Sequence, residues 1–257
     1  MEDDFTYVIR KALRGHDLAP GEAAKLAGLE EAEVMGLLRG KFSAHAARAI
    51  APVLGLSPEA LATLPSYEAK TSLPASIHRL DMPFGGDGQV NAWLIRETGT
   101  ALLFDAGPSA GALEQALDPL HVSTLDGVFL THTHPDHTSG AEKLRARGYP
   151  VHFPSAFRPG ETIHCGALTL RTLDLAGHCD GALGYLIDGL MIPACVVGDA
   201  LFAGSIGGCP DSQTYRLALA NLREHLFTLP DETLLLPGHG PATTIGEERK
   251  RNPFLAK

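Results

Sequence analysis

Thr131–Gly140 reads THTHPDHTSG, and this stretch decides how the remainder is read. Three histidines and one aspartate, His132, His134, Asp136 and His137, fall within six consecutive residues. Few structural roles call for histidine at such density. Neutral imidazole nitrogen and carboxylate oxygen are ligands for divalent zinc, and also for iron or manganese. No cysteine lies in the cluster. It follows GVFL, which reads as a buried strand, and precedes a helix expected to start near Ser139. That places the four residues on a loop at a strand end, where several side chains can converge on one point.

Working outward, three more donors occupy the same kind of position. His178 follows the strand LTLRTLDL in AGHCDG, Asp199 follows MIPACVV in VGDALF, and His239 follows TLLL in PGHGP. Seven donors exceed the four of a structural zinc site. They suit two metals a few ångströms apart that share a bridging carboxylate and a bridging water. Lone histidines are more often surface or helix residues than ligands. His16, His45, His121 and His225 are therefore left out, and so are His152 and His164, which flank VHFPSAF and TIHCGAL.

Composition sets the frame for this site. The chain has 257 residues, 44% hydrophobic and 20% charged, enough for a sizeable core. Its formal net charge of -9, with no lysine- or arginine-rich run, excludes wholesale attraction to nucleic acid or anionic lipid. Cys165, Cys179, Cys195 and Cys209 form no CxxC pair, and the start, MEDDFTYVIR, is not a secretory segment. Reduced thiols in a cytoplasmic protein are expected, and the apolar runs LMIPACVV and TLLLP are too short to cross a bilayer.

Two regions differ in pattern. Residues 5–64 are rich in Ala, Leu and Glu at helical spacing, and about five short helices are expected. Gly15 and Gly28 end helices there, Pro20 opens one, and Ser43 and Ser57 stand as N-caps. From about Ile77, short β-rich runs (VNAWLIRE, TALLFDAG, LDGVFLTH, LTLRTLDL, LGYLIDG, LMIPACVVGD) interleave with helices in SAGALEQALDPL, GAEKLRARG and QTYRLALANLREHLFTL. The expected organisation is a small all-helical domain over residues 1–66 and an α+β catalytic domain over residues 67–257.

THTHPDH, GHCDG, GDALFAGSIG and PGHGP, in that order, resemble the metallo-β-lactamase fold superfamily over about residues 75–257. LFAGSIG and the ending PGHGPATTIGEERKRNPFL look most like its glyoxalase II-like branch, the hydroxyacylglutathione hydrolases, particularly the short single-domain bacterial members. The resemblance implies an αββα sandwich with the site at one edge of the two sheets. It implies that His132, His134 and His178 hold one metal, that Asp136, His137 and His239 hold a second, and that Asp199 bridges them. Asp105, in LLFDAG, matches an aspartate that supports a ligand from behind. The implied cofactors are two divalent ions, zinc foremost, with iron or manganese as alternatives.

The function so implied is hydrolysis of a thioester such as a hydroxyacyl-glutathione by a metal-bound hydroxide, with Asp136 orienting and partly deprotonating the water. A mononuclear iron persulfide dioxygenase is the nearest rival and would need only His132, His178 and Asp199. Lactone or phosphodiester hydrolysis is a third reading. Two departures from the branch lie on its substrate side: Cys179 and Asp180 replace Thr-Pro after His178, and Gly208 and Cys209 stand where an arginine is usual. Arg249, Lys250 and Arg251 are a candidate cationic contact near the end, set against a solvated charge run.

The helical region resembles the helix-turn-helix domain of Cro/C1-type regulators through LLRGKF and LGLSPEAL. A metabolite-sensing DNA-binding regulator is accordingly a reading from another class. The second helix of the pair carries Glu30, Glu31 and Glu33, however, which would face phosphates with like charge. Dimerisation, or shaping of the active-site entrance, is the expected role of this region.

Overall fold

The computed structural model describes residues 2–86 and 88–256. Five helices open the chain: α1 (Phe5–Gly15), α2 (Pro20–Ala27), α3 (Glu31–Leu38), α4 (Ala44–Ile50) and α5 (Pro58–Thr63). Each start has a local cause. Asp4 accepts from the amides of Thr6 and Tyr7, Ser43 accepts from that of Ala46, and proline takes the first turn of α2 and α5. Ser57 precedes α5 but its side chain makes no capping bond, so Pro58 with its preset φ carries that start instead.

The remaining elements alternate. In chain order they are β1 (Ile77–Pro83), β2 (Gln89–Glu97), β3 (Thr100–Phe104), α6 (Ala110–Leu117), β4 (Gly127–Phe129), α7 (Pro135–Thr138), α8 (Ala141–Ala146) and β5 (Val151–His152). There follow β6 (Thr162–Cys165), β7 (Leu168–Asp174), β8 (Leu183–Asp188), β9 (Ala194–Gly198), β10 (Leu201–Phe202), β11 (Ser205–Ile206), α9 (Ser212–Asn221), β12 (Leu234–Pro237), β13 (Thr243–Thr244) and α10 (Ile245–Arg251). The helix expected over 213–229 runs on from α9 as a single π-helical stretch, Leu222–Leu226. The segments that became β1, β5, β6, β13 and α10 carry no long apolar run, and neighbours rather than local pattern define them.

One sheet runs β1-β2-β3-β4-β5 and the other β13-β12-β9-β8-β7-β6. They stack face to face. Trp93, Ile95, Phe104 and Phe129 of the first sheet meet Leu170, Tyr185, Ile187, Val196 and Leu236 of the second in one buried cluster. The alternate residues of the same strands face outward into helices. Leu94, Leu103 and Val128 pack under Leu113 of α6 and Leu144 of α8. Leu186, Cys195, Val197 and Leu235 pack under Tyr215 of α9 and Ile245 of α10. The strands are apolar on both faces because helices cover both, which gives the αββα layering.

The helical region is part of the last layer. Val8, Ile9 and Ala12 of α1 lie in the same cluster as Leu201, Tyr215 and Phe254. A Cβ at Gly15 would sit 2.3 Å from the Tyr215 ring, so α1 approaches α9 as closely as only glycine permits. No helix among the described residues is long and apolar enough to cross a membrane.

Candidate metal centre

The parallel strands β3 and β4 end side by side and deliver Asp105 and Thr131 to one edge of the sandwich. His132 and His134 follow in the loop. Asp136 and His137 are not in that loop: Pro135 starts the one-turn helix α7, which turns both side chains inward. His178 follows β7, Asp199 follows β9 and His239 follows β12, all from the second sheet. The site therefore straddles the two sheets.

All seven donors converge. One ligand atom each from His132, His134, His178 and Asp199 lie within 4.8 Å of one another, and so do those of Asp136, His137, Asp199 and His239. Asp199 belongs to both groups. Its Oδ2 stands 3.9 Å from His132 Nε2, 3.6 Å from His178 Nε2 and 3.5 Å from His239 Nε2, while its Oδ1 is 3.3 Å from His137 Nε2. Asp136 Oδ2 lies 3.2 Å from His239 Nε2 and 3.5 Å from His137 Nε2.

In four of the five imidazoles the partner of the outer nitrogen fixes which nitrogen faces inward, and in the fifth, His134, Nδ1 faces His178 Nε2 at 3.0 Å. His137 Nδ1 donates to Asp105 Oδ2 (2.9 Å), His178 Nδ1 to the Gly208 carbonyl (2.6 Å) and His239 Nδ1 to the Gln89 carbonyl (2.7 Å). His132 Nδ1 donates to Thr131 Oγ1 (2.9 Å), whose hydroxyl in turn donates to Asp105. Four Nε2 lone pairs are thus turned to the centre, the arrangement that raises ligand basicity at metal sites. Asp105 also accepts from the Thr131 amide at 2.8 Å. It holds this post at φ 64°, a left-handed conformation costing a non-glycine residue about 1 kcal/mol or more. Glycine clears the space behind: a Cβ at Gly238 would lie 2.2 Å from Asp199 Oδ1, and one at Gly207 1.9 Å from the Asp199 carbonyl oxygen.

The donor set fits divalent metal on an observation independent of spacing. His132 Nε2, His137 Nε2 and Asp199 Oδ1 are buried with no hydrogen-bond partner. Each such atom costs about 1–3 kcal/mol unless something satisfies it, and a cation between them satisfies all three. The titration behaviour agrees. Burial opposes charge on Asp199, yet His137 and His239 outweigh it and hold the carboxyl well below its ordinary range. Burial likewise opposes charge on His239, but Asp136 and Asp199 raise it to about 10, and Asp105 and Asp199 raise His137 well above its usual value. Burial and the charge of His137 push His132 down to about 4. Without a metal, protons on His137 and His239 supply the positive charge that these carboxylates demand.

Around the donors, Thr133 Oγ1 and Cys179 Sγ lie 3.5 Å apart, Cys179 half-buried and Asp180 exposed. Cys209 is buried, and burial pushes its thiol up to about 11. Arg249 does not reach this edge; it pairs with Asp231 and donates to the carbonyls of Phe227 and Leu229, while Lys250 and Arg251 are exposed at the end of α10. Residues that the spacing did not single out stand close by. Thr131 is one. Lys11 of α1 is another, its ammonium 5.2 Å from the centroid of the Phe202 ring, which is itself edge-on to His239 at 5.8 Å. The histidines left out of the site do not join either group.

The model of the metallo-beta-lactamase superfamily matches residues 85–185. The protein named Hydroxyacylglutathione hydrolase GloC of Haemophilus influenzae is 28% identical over 187 residues, covering 60% of this chain and 87% of its own. The uncharacterized protein ML0493 of Mycobacterium leprae is 30% identical over 210 residues, covering 65% of this chain and 94% of its own. The crystal structure of ETHE1 from Myxococcus xanthus is similar at a TM-score of 0.55 and 28% identity, covering 70% of this chain and 84% of that one.

Proposed function

The chain belongs to the metallo-β-lactamase superfamily, and from that premise we propose that it is a metal-dependent hydrolase cleaving a thioester such as a hydroxyacyl-glutathione. The observation that carries the reading is the pair of complete donor groups sharing Asp199. His132, His134 and His178 would hold one ion, Asp136, His137 and His239 the other. Two bound divalent ions would supply Lewis-acid polarisation of the thioester carbonyl and acidify a water at neutral pH. Asp136 stays ionised, because hydrogen bonding from His239 and the charge of His137 outweigh its burial, and it accepts the proton of the attacking water. A thiolate leaves without acid assistance, so the reaction asks for no general acid beside Thr133 and Cys179. The likeness to a protein named hydroxyacylglutathione hydrolase supports the choice of thioester.

The test is cleavage of S-lactoylglutathione by the zinc-loaded protein, followed by loss of thioester absorbance with oxygen excluded. Turnover under those conditions is the expected result, and a zinc-replete protein that leaves the thioester intact would overturn it. A mononuclear iron persulfide dioxygenase is the second reading, consistent with the likeness to ETHE1. It leaves Asp136, His137 and His239 without a role, although their three donors are as closely gathered as the first group. One iron per chain with persulfide-driven oxygen uptake would favour it; two zincs per chain would favour the hydrolase.

A further inference from the structure

Behind the centre, His178 is held by a hydrogen bond from Nδ1 to the carbonyl of Gly208, while its Nε2 faces His134 Nδ1 at 3.0 Å inside it. That carbonyl lies outside both large sheets. It follows β11, which pairs only with β10, through two residue pairs. A ribbon so short does not fix its own position in water. The backbone there also has no slack, since a Cβ at Gly207 would approach His178 Cγ to 2.9 Å.

The ribbon is held from two sides. From its own domain, Glu248 accepts from the Gly204 amide (2.9 Å) and Asn252 Nδ2 donates to the Ser205 carbonyl (2.9 Å). From the start of the chain, Ser205 Oγ donates to Asp3 Oδ2 (2.5 Å), and Lys11 Nζ donates to the Ile206 carbonyl (2.7 Å) while pairing with Asp3. Asp3 is 7% exposed and the Lys11 side chain 16%, so neither is an ordinary surface charge. Lys11 Cε comes within 3.8 Å of where a Gly208 Cβ would stand.

We propose that Lys11 and Asp3, contributed by the helical region, are positioning residues for the metal ligand His178, acting through Ser205, Ile206 and the Gly208 carbonyl. The inference rests on the reading of the seven donors as a metal centre. Removing the ammonium takes the counter-charge from the buried Asp3 carboxylate, which keeps only the Ser205 hydroxyl, and takes the Lys11 donor from the Ile206 carbonyl, so the loop they anchor shifts the partner of His178. Groups that orient a ligand in this way alter metal affinity by about 10- to 100-fold.

The experiment is Zn²⁺ titration of the full chain against a chromophoric chelator, together with the visible absorption of the Co²⁺ form. Lys11→Met is expected to weaken Zn²⁺ at least tenfold and to change the Co²⁺ bands, and Lys11→Arg to restore both. Asp3→Asn with Lys11→Met removes the pair without leaving a lone buried charge, and gives the same loss should the single variant not fold. Val8→Ala opens a cavity in the same helix while keeping the Lys11 and Asp3 hydrogen bonds to the ribbon, and lowers the melting temperature with metal binding unchanged. Wild-type affinity and spectrum in Lys11→Met, or an equal loss in Val8→Ala, would overturn the positioning role. A wild-type chain that takes up neither ion would instead sink the metal-centre reading, and this inference with it.

Discussion

At the residue scale, every imidazole whose outer nitrogen is bonded owes its orientation to a neighbour that contributes no donor to the centre. Asp105 is the clearest case, because it serves His137 directly and His132 through Thr131. Asparagine tolerates a left-handed backbone as aspartate does, so Asp105→Asn removes the charge while keeping the φ of 64°. Zinc affinity is expected to fall about 10- to 100-fold, measured by chelator competition. Asp136→Asn is expected to cut thioester turnover by about 10²- to 10⁴-fold, as loss of a proton acceptor does. The pH dependence has a definite sign. His137 and His239 hold raised proton affinities in the metal-free chain, the latter to about 10. Below those values a metal must displace their protons, so apparent zinc affinity rises with pH, about tenfold per unit for each proton displaced. Affinity flat between pH 6 and 9 would contradict that competition.

At the scale of elements, short pieces set the geometry. The one-turn helix α7 carries no helical period, because four residues are too few to show one. Pro135 at its first position was the available signal, and the turn it starts separates His134 from Asp136 so that each joins a different group. The contact of α1 with α9 shows the opposite, an element legible from its pattern whose partner was not. Gly15→Ala gains about 0.5–1 kcal/mol of helix propensity. It also drives a methyl to 2.3 Å from the ring of Tyr215, which is 2% exposed and has nowhere to turn. Overpacking of this kind costs about 1–3 kcal/mol, so the clash wins. A melting temperature lowered by several degrees in a thermal scan is the expected outcome.

At the scale of the whole molecule, the helical region and the sandwich share one apolar cluster, from Val8 and Ile50 through Val197 and Leu235 to Phe254. A chain restricted to residues 67–257 would expose the apolar surface of Tyr215, Leu201 and Phe254 that α1 covers, at about 25 cal/mol for each Å² uncovered. It is expected to aggregate on expression, and a monodisperse, cooperatively melting fragment would refute this. Chelation acts on the same scale. Zinc at 100 times its dissociation constant adds about 2.7 kcal/mol to the folded state, so removal by a chelator is expected to lower the melting temperature in step with loss of turnover.

The sequence by itself determined the donors and the layers. His132, His134, Asp136 and His137 are close in space because they are close in chain, and His178, Asp199 and His239 were legible because each follows an apolar run at a strand end. The interleaving of strand and helix patterns gave an α+β core, and the motifs' resemblance implied the αββα layers. The grouping of the donors was implied by the resemblance, and the tertiary structure supplies its geometry, because two sheets must meet at one edge to bring both groups onto Asp199. The tertiary structure alone brought Lys11 to Ile206, 195 residues away, since no local pattern encodes a contact made by packing. The Gly208 and Gln89 carbonyls that aim His178 and His239 stayed hidden for the same reason: every residue carries a carbonyl, and only the folded backbone selects the two that matter.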